Sequence, residues 1–124
     1  MIDHHSRMAM HKRNPERTKA AIRRWQRTPK GRFAHLKNRS KHDKIEATLT
    51  LAEYTEFISH PCFYCGGPLA DYGTGLDRIN PKIGYVNGNV RPCCRRCNVA
   101  KNDMREEEFK ELILRIYNRW VLNE

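Results

Sequence analysis

The sequence has little apolar material and no long apolar run. Hydrophobic residues make up 39% of the 124 residues and the mean hydropathy is −0.84, so the chain can build only a small core. No stretch is long enough to span a membrane, and residues 1–14 lack the apolar centre of a signal peptide. These absences exclude a membrane protein and predict a cytoplasmic, intracellular chain. A core this small often needs a disulfide or a bound metal to be stable.

Acidic residues are scarce in the first two-fifths of the chain. Residues 1–50 hold 14 Lys and Arg against 4 Asp and Glu, whereas residues 51–124 hold 10 of each, so the whole net charge of +10 lies in the first segment. A one-sided basic segment is typical of proteins that bind the phosphate backbone of nucleic acids. A solubilising basic tail without a specific ligand has the same bias, and charge alone does not separate the two.

The cysteines are more specific than the charge. Four of the five form two C-x-x-C pairs separated by 28 residues: Cys62, Cys65, Cys94 and Cys97. Each pair can aim two thiolates at one point about 2.3 Å from a metal, and tetrahedral zinc needs two such pairs. The odd number of cysteines and the missing secretion signal disfavour structural disulfides, and a redox site would need only one pair. The pattern predicts one structural zinc per chain, with Cys93 outside the ligand set because it breaks the spacing.

Local signals predict three helices and a short strand before the first cysteine pair. Pro15 and Pro29 each follow a residue suited to capping and predict the starts of two basic helices. Thr50 and Glu53 have the spacing of a capping box and predict a third helix. Residues 45–49 alternate between apolar and polar side chains, which predicts a short strand.

Between and after the cysteine pairs the pattern changes to strands and then helices. Residues 76–79 predict one strand and Val90 the start of another, with a turn rich in glycine and asparagine between them. Residues 94–101 predict a short helix. Asp103 and Glu106 predict a capping box for the last helix, whose apolar stripe is interpreted as core packing. The stripe consists of Phe109, Leu112, Ile113, Ile116, Tyr117 and Trp120.

These features form a recognisable pattern. It consists of Cys62-x-x-Cys65, Gly75-x-Asp77-Arg78, Gly84-Tyr85-x-x-x-Asn89-Val90 and Cys94-x-x-Cys97-Asn98-x-x-Lys101. The pattern resembles the zinc-bound HNH endonucleases, a family that shares the ββα-metal fold and is often encoded by phages. The resemblance implies an α+β fold: a small zinc-stapled ββα-metal module, flanked by basic N-terminal helices and an amphipathic C-terminal helix.

The resemblance also implies a second, catalytic metal site. Asp77 and Asn98 correspond to the protein ligands of a divalent cation, Mg²⁺ or Mn²⁺, and Asn89 to the residue that braces the loop between the strands. The cation would stabilise charge at the scissile phosphate as a Lewis acid. Arg95 and Lys101 lie three residues on either side of Asn98, where we expect them to contact the flanking phosphates. The implied function is metal-dependent hydrolysis of DNA phosphodiester bonds.

One residue departs from the family pattern. The family has a histidine after the aspartate, as general base for the attacking water, and Arg78 stands in its place. Arginine stays protonated and has no acceptor, although its fork of donors could stabilise a pentacovalent phosphorane. The base would then be another group, such as His60, the one histidine of the sequence outside the basic segment, or bulk hydroxide. Two other functions therefore stay open: an HNH-derived DNA-binding module with weakened catalysis, and a zinc-ribbon-like RNA-binding protein.

The chain is expected to have three parts. Residues 1–13 are predicted to be a disordered basic tail, residues 14–44 a basic helical arm that binds DNA, and residues 45–124 the zinc-bound HNH module with its C-terminal helix. The expected partner is double-stranded DNA. The candidate phosphate contacts of the arm are Arg23, Arg24, Arg27, Arg32 and Lys37.

Overall fold

Helices account for most of the regular structure. The computed structural model describes residues 15–123, so the predicted tail at residues 1–13 and the predicted cap Asn14 lie outside the described residues. The elements are α1 (Pro15–Gln26), α2 (Pro29–His42), α3 (Leu51–Ile58), β1 (Leu76–Arg78), β2 (Val90–Pro92), α4 (Arg95–Lys101) and α5 (Glu106–Ile116), which continues as a π-helical segment (Tyr117–Leu122). The described part is thus a mixed α and β structure with a small two-stranded sheet, which confirms the broad class. None of the described helices has the length and apolar character needed to cross a membrane.

The two N-terminal helices meet at a glycine. The Thr28 hydroxyl accepts a hydrogen bond from the Gly31 backbone N–H at 3.1 Å and caps α2, which starts at Pro29 as predicted. The end of α1 lies so close to α2 that a Cβ on Gly31 would be 2.0 Å from the Trp25 carbonyl oxygen. Glycine at this position therefore allows the two helices to approach each other closely. The contact does not depend on buried side chains of α1, since α1 has none.

The apolar core lies between α2, α3 and the sheet. Its buried members are Leu36, Leu49, Tyr54, Leu76 and Val90. Tyr54 enters from α3, which begins with the predicted capping box between Thr50 and Glu53. The Tyr54 hydroxyl donates to the Thr74 carbonyl at 2.7 Å, so the polar atom of this fully buried side chain has a partner.

The sheet is antiparallel and only three residue pairs long. Asp77 faces Arg91 at its centre. The prediction of a strand at residues 45–49 is wrong. This segment lies beside the loop between β1 and β2 and does not pair with either strand. It contributes one parallel bridge, between Ala47 and Tyr85, and no continuous ladder.

A tight turn separates α4 from α5. Asn102 follows the end of α4 with a φ of 52°, in the left-handed region that stops a helix. The prediction that Asp103 caps the last helix is wrong, because the turn continues past it. α5 begins after Arg105, whose backbone N–H donates to the Glu108 carboxylate at 3.4 Å.

Most of the apolar stripe on α5 is exposed, so the prediction that it packs in the core is wrong. Phe109 is buried and its ring centroid lies 5.5 Å from that of Tyr64. By contrast, Ile113 and Ile116 are 46% and 48% exposed, and Trp120 is 72% exposed. The spacing indicates an amphipathic helix, but only the beginning of that helix reaches the small core.

Candidate metal centre

The four cysteines of the two C-x-x-C pairs come together in space. The Sγ atoms of Cys62, Cys65, Cys94 and Cys97 all lie within 4.8 Å of one another. The Sγ atoms of Cys65 and Cys94 are 3.7 Å apart, and four sulfurs about 2.3 Å from a tetrahedral zinc would be separated by roughly 3.8 Å. The cluster can therefore hold a metal ion such as zinc.

Backbone geometry on both sides of the cluster points N–H groups at sulfur. The Gly67 N–H donates to Cys65 Sγ at 3.3 Å, and the Cys97 N–H donates to Cys94 Sγ at 3.4 Å. Cys94 is also the N-cap of α4, so the positive end of this helix lies beside the thiols. Gly66 has a φ of +74°, which a residue with a side chain rarely adopts and which closes the first turn.

The ionisation of these thiols is uneven. Burial raises the pKa of Cys62, but hydrogen bonds from the backbone of Cys65, Cys94 and Tyr64 outweigh it and lower that pKa to about 6. Burial, followed by hydrogen bonds with the neighbouring thiols, raises the pKa of Cys97 far above its usual value. A bound divalent cation would favour the thiolate forms of both Cys62 and Cys97.

Cys93 is not part of the cluster. It is buried and its thiol donates to the Cys94 carbonyl at 3.3 Å. Burial, and then the charges of Cys62 and Asp77, raise the pKa of Cys93. It is a packed thiol outside the cluster, and its place outside the ligand set agrees with the prediction from the spacing.

Asp77, the expected ligand of a catalytic cation, is buried against a lysine. Asp77 on β1 is 4% exposed and Lys101 on α4 is 0% exposed. The Lys101 ammonium lies 3.2 Å from the Asp77 carboxylate and donates to the Arg78 carbonyl at 3.1 Å. The Tyr64 hydroxyl donates to the same carboxylate at 2.5 Å. The prediction that Lys101 contacts phosphates is therefore wrong, because its ammonium is buried and paired with the Asp77 carboxylate.

Asn98, the second expected cation ligand, borders a cavity that the Asp77 carboxylate does not reach. It lines a cavity of about 200 Å³ together with Arg95, Tyr72 and Thr74, and Asp77 does not contribute to this lining. Mg²⁺ usually keeps several of its waters when bound, and a carboxylate that is 4% exposed and occupied by two donors has no room for a hydrated ion. In this arrangement Asp77 and Asn98 do not fit a shared divalent cation.

The loop between the strands depends on one asparagine. The Asn89 amide donates to the carbonyls of Asn80 and Gly84 at 3.2 and 2.9 Å and accepts from the Asn80 N–H at 3.0 Å. Asn89 is buried, so these three bonds are shielded from water and brace the loop.

Arg78, the expected phosphorane stabiliser, and His60, the alternative base, both make contacts away from the expected cation site. The Arg78 guanidinium lies 5.3 Å over the ring of Tyr85 and donates to the Ile83 carbonyl at 3.5 Å. His60 is exposed and pairs with Glu56 of α3 at 3.1 Å. Neither contact involves Asp77 or Asn98.

The basic arm divides into outward and inward residues. Arg23, Arg24 and Arg27 are exposed on α1 and the turn that follows. Lys37 is half-buried, and its ammonium donates to the Ala47 carbonyl. Arg32, another expected phosphate contact, does not lie on the outer surface of the arm, because it is only 8% exposed and lies beneath the loop at residues 71–75.

Two further residues of this region, Tyr64 and Arg91, belong to no motif of the sequence. Tyr64 stands between the first two cysteines, where the zinc pattern assigns no role. Burial, and then the Asp77 carboxylate, raise the pKa of its phenol far above the usual value, so it remains a donor. Arg91 lies 4.0 Å over the Phe63 ring and 2.8 Å from Glu106, whose pKa it lowers. These contacts tie the first cysteine turn and β2 to α5.

Comparison with known proteins finds that this chain is similar to one region of a viral protein. An uncharacterized protein of Acanthamoeba polyphaga mimivirus is 28% identical over 104 residues, which are 84% of this chain and 20% of the mimivirus protein. The chain thus spans about one fifth of the length of this relative. No family model matches the chain, and no solved structure matches it.

The first prediction concerns the cysteine cluster. We expect elemental analysis to find one zinc per chain, and Cys97→Ser to lose most of it because three thiolates hold zinc less tightly. Apparent binding free energies of structural zinc are on the order of 10 kcal/mol, so a chelator should unfold the protein. Cys93→Ser is the matched control and should keep its zinc. Equal zinc loss from both variants would contradict the ligand set.

The second prediction concerns the buried ion pair. Lys101→Met leaves the Asp77 carboxylate buried without a counter-charge and should lower the free energy of unfolding by about 3–5 kcal/mol. The double variant Asp77→Asn with Lys101→Met should recover much of this loss, as measured by urea unfolding of zinc-loaded protein. Lys19→Met removes an exposed pair with Glu16 and should cost less than about 1 kcal/mol. Additive losses in the double variant would refute the coupling.

Proposed function

We propose that this chain is a zinc-stabilised nucleic-acid-binding module on an HNH-type scaffold, with double-stranded DNA as its partner. The observation that carries the proposal is the concentration of positive charge on the N-terminal helices. Residues 15–44 contain eleven Lys and Arg against two acidic residues. Among the exposed cations, Arg23 and Arg24 form none of the ion pairs found in the described residues. The phosphates of a nucleic-acid backbone supply the matching row of negative charge.

The assignment to an HNH-type scaffold is supported by the order of elements around the cysteines. The first pair precedes β1, the second pair follows β2 directly, and Cys94 caps α4. This order of two strands and a short helix is the one expected of a ββα-metal module. The bracing of the loop by Asn89 supports the same assignment.

The state of the expected catalytic residues favours binding over cleavage. The Asp77 carboxylate is neutralised by Lys101 and closed to solvent. Arg78 cannot accept a proton, and its guanidinium is held against Tyr85. A module with these features can still bind DNA through its arm, because phosphate contacts position a protein on the duplex without any chemistry.

A second candidate function is metal-dependent DNA cleavage, as the family resemblance implies. The observation in its favour is that Asn98 and Arg95 line an open cavity beside α4. For Asp77 to share a Mg²⁺ or Mn²⁺ ion with Asn98, Lys101 would have to release the carboxylate. This candidate therefore requires a rearrangement of α4 against β1.

The third prediction tests DNA binding. The affinity of the zinc-loaded chain for a duplex should fall with salt, by roughly 0.9 log units per log unit of salt for each phosphate neutralised. Arg24→Gln should reduce the slope by about one such contact. Lys110→Gln, on the exposed face of α5 in the neutral half of the chain, is the control and should leave it unchanged. Binding that is insensitive to salt would exclude the arm as the contact surface.

The fourth prediction separates the two candidate functions. The binding module should leave supercoiled plasmid intact in Mg²⁺ and in Mn²⁺. Nicking that disappears in Asn98→Ala, with zinc content retained, would establish the endonuclease instead. Arg78→His then reports on the missing base: a gain of roughly 10²–10⁴-fold in rate is expected if proton transfer limits the reaction.

A further inference from the structure

Arg32 is a buried cation without a counter-charge. It is 8% exposed, and its Nε donates to the Gly73 carbonyl at 3.0 Å. Its Nη2 has no hydrogen-bond partner, and Arg32 takes part in none of the ion pairs among the described residues. Burying a charge is unfavourable unless it is paired and hydrogen-bonded. The free protein therefore holds a guanidinium whose pairing is incomplete.

A purely structural role does not explain the guanidinium. The single bond to Gly73 needs only a neutral donor, such as a glutamine amide. The absence of a side chain at Gly75 makes room for the guanidinium itself, since a Cβ there would lie 2.9 Å from Arg32 Nη2. Gly75 also has a φ of +68°, so a residue with a side chain would be strained at this position.

Arg32 lines a cavity between α1, α2 and the loop that contains Gly73. We call it the anion pocket; its volume is about 520 Å³. The charged and aromatic residues of its lining are Arg23, Trp25, Arg27, Arg32, His35 and Tyr72. Arg27 pairs with Asp71 at 3.7 Å across the exposed rim. Arg23 and Arg32 have no such partner in the described part of the chain, so the pocket keeps an excess of positive charge.

The chemistry of the lining indicates a phosphate that carries a base. Guanidinium groups bind phosphate by paired hydrogen bonds, and two of them can share one dianion. Trp25 and Tyr72 are 52% and 47% exposed at the same cavity, and exposed aromatic rings bind nucleic-acid bases by stacking. The depth of Arg32 favours a terminal phosphate, because a phosphodiester within a duplex is held away by the sugars on both of its sides.

We propose that the anion pocket binds the terminal phosphate of a nucleotide, with Arg32 and Arg23 on the phosphate and an aromatic ring on the base. The nucleotide is either the end of a nucleic-acid strand or a free mononucleotide. Tyr72 and Gly73 also line the smaller cavity that contains Arg95 and Asn98, so a strand anchored here would pass close to α4. The inference rests on the proposed nucleic-acid partner and not on any cleavage.

The test is equilibrium binding of the full, zinc-loaded chain in salt high enough to weaken the arm. The probes are a short single-stranded DNA with a 5′-phosphate, with a 3′-phosphate or with hydroxyl ends, together with deoxyadenosine monophosphate and inorganic phosphate. One phosphorylated strand should bind roughly ten- to hundredfold more tightly than the hydroxyl strand. Tighter binding of that strand than of the mononucleotide identifies a strand end, and equal binding identifies a free nucleotide.

The variants separate a ligand site from a structural arginine. Arg32→Gln keeps a donor for Gly73, should abolish the preference for phosphate and should leave the melting temperature unchanged or higher, because an unpaired buried charge is gone. Arg23→Gln should weaken the preference several-fold. Lys30→Gln removes an exposed charge from the adjacent position of α2, outside the pocket lining, and should retain the preference.

Three results would overturn the inference. One is equal binding of phosphorylated and hydroxyl strands. Another is an Arg32→Gln variant that melts far lower yet keeps the preference for phosphate, which would make Arg32 structural. The third is inorganic phosphate binding as tightly as the mononucleotide, which would remove the base from the site. Salt-dependent duplex binding that persists in any of these cases would leave the proposed function intact.

Discussion

The convergence of four cysteine sulfurs on one point is the constraint on which this structure depends. It joins the turn at Cys62 and Cys65 to the start of α4, on either side of a sheet with three residues per strand. A two-stranded sheet is marginal by itself, and among the described residues the buried apolar cluster has five members. A metal in the cluster would therefore supply free energy of folding that the core is too small to provide.

The Asp77–Lys101 ion pair fixes the C-terminal end of α4, as the cysteine cluster fixes its N-terminal end. α4 is attached to the rest of the protein by thiols at its first turn and by a buried ammonium at its last residue. Both ends of this helix are thus held against the sheet, with Tyr64 between them as a further donor to Asp77. The carboxylate that was expected to bind a catalytic cation is the one that stabilises this arrangement.

The arginines of the N-terminal helices serve two different physical purposes. Those on the outer surface remain hydrated and can meet a phosphate backbone at little cost, since an exposed charge loses little solvation. Arg32 lies beneath the loop that contains Gly73 and has already lost its water. A buried guanidinium with an unpaired nitrogen interacts far more strongly with an anion than an exposed one, because the local dielectric constant is lower.

The sequence alone determined the features that depend on short spacing: the two C-x-x-C pairs, the exclusion of Cys93, the starts of α2 and α3, and the two strands with a short helix after them. Each depends on residues a few positions apart, whose geometry is local. Only the tertiary structure decided that Lys101 is buried against Asp77, that Arg32 faces inward, and that Trp120 stays in water. Burial depends on which distant segments meet, and helical spacing marks a face without showing what covers it.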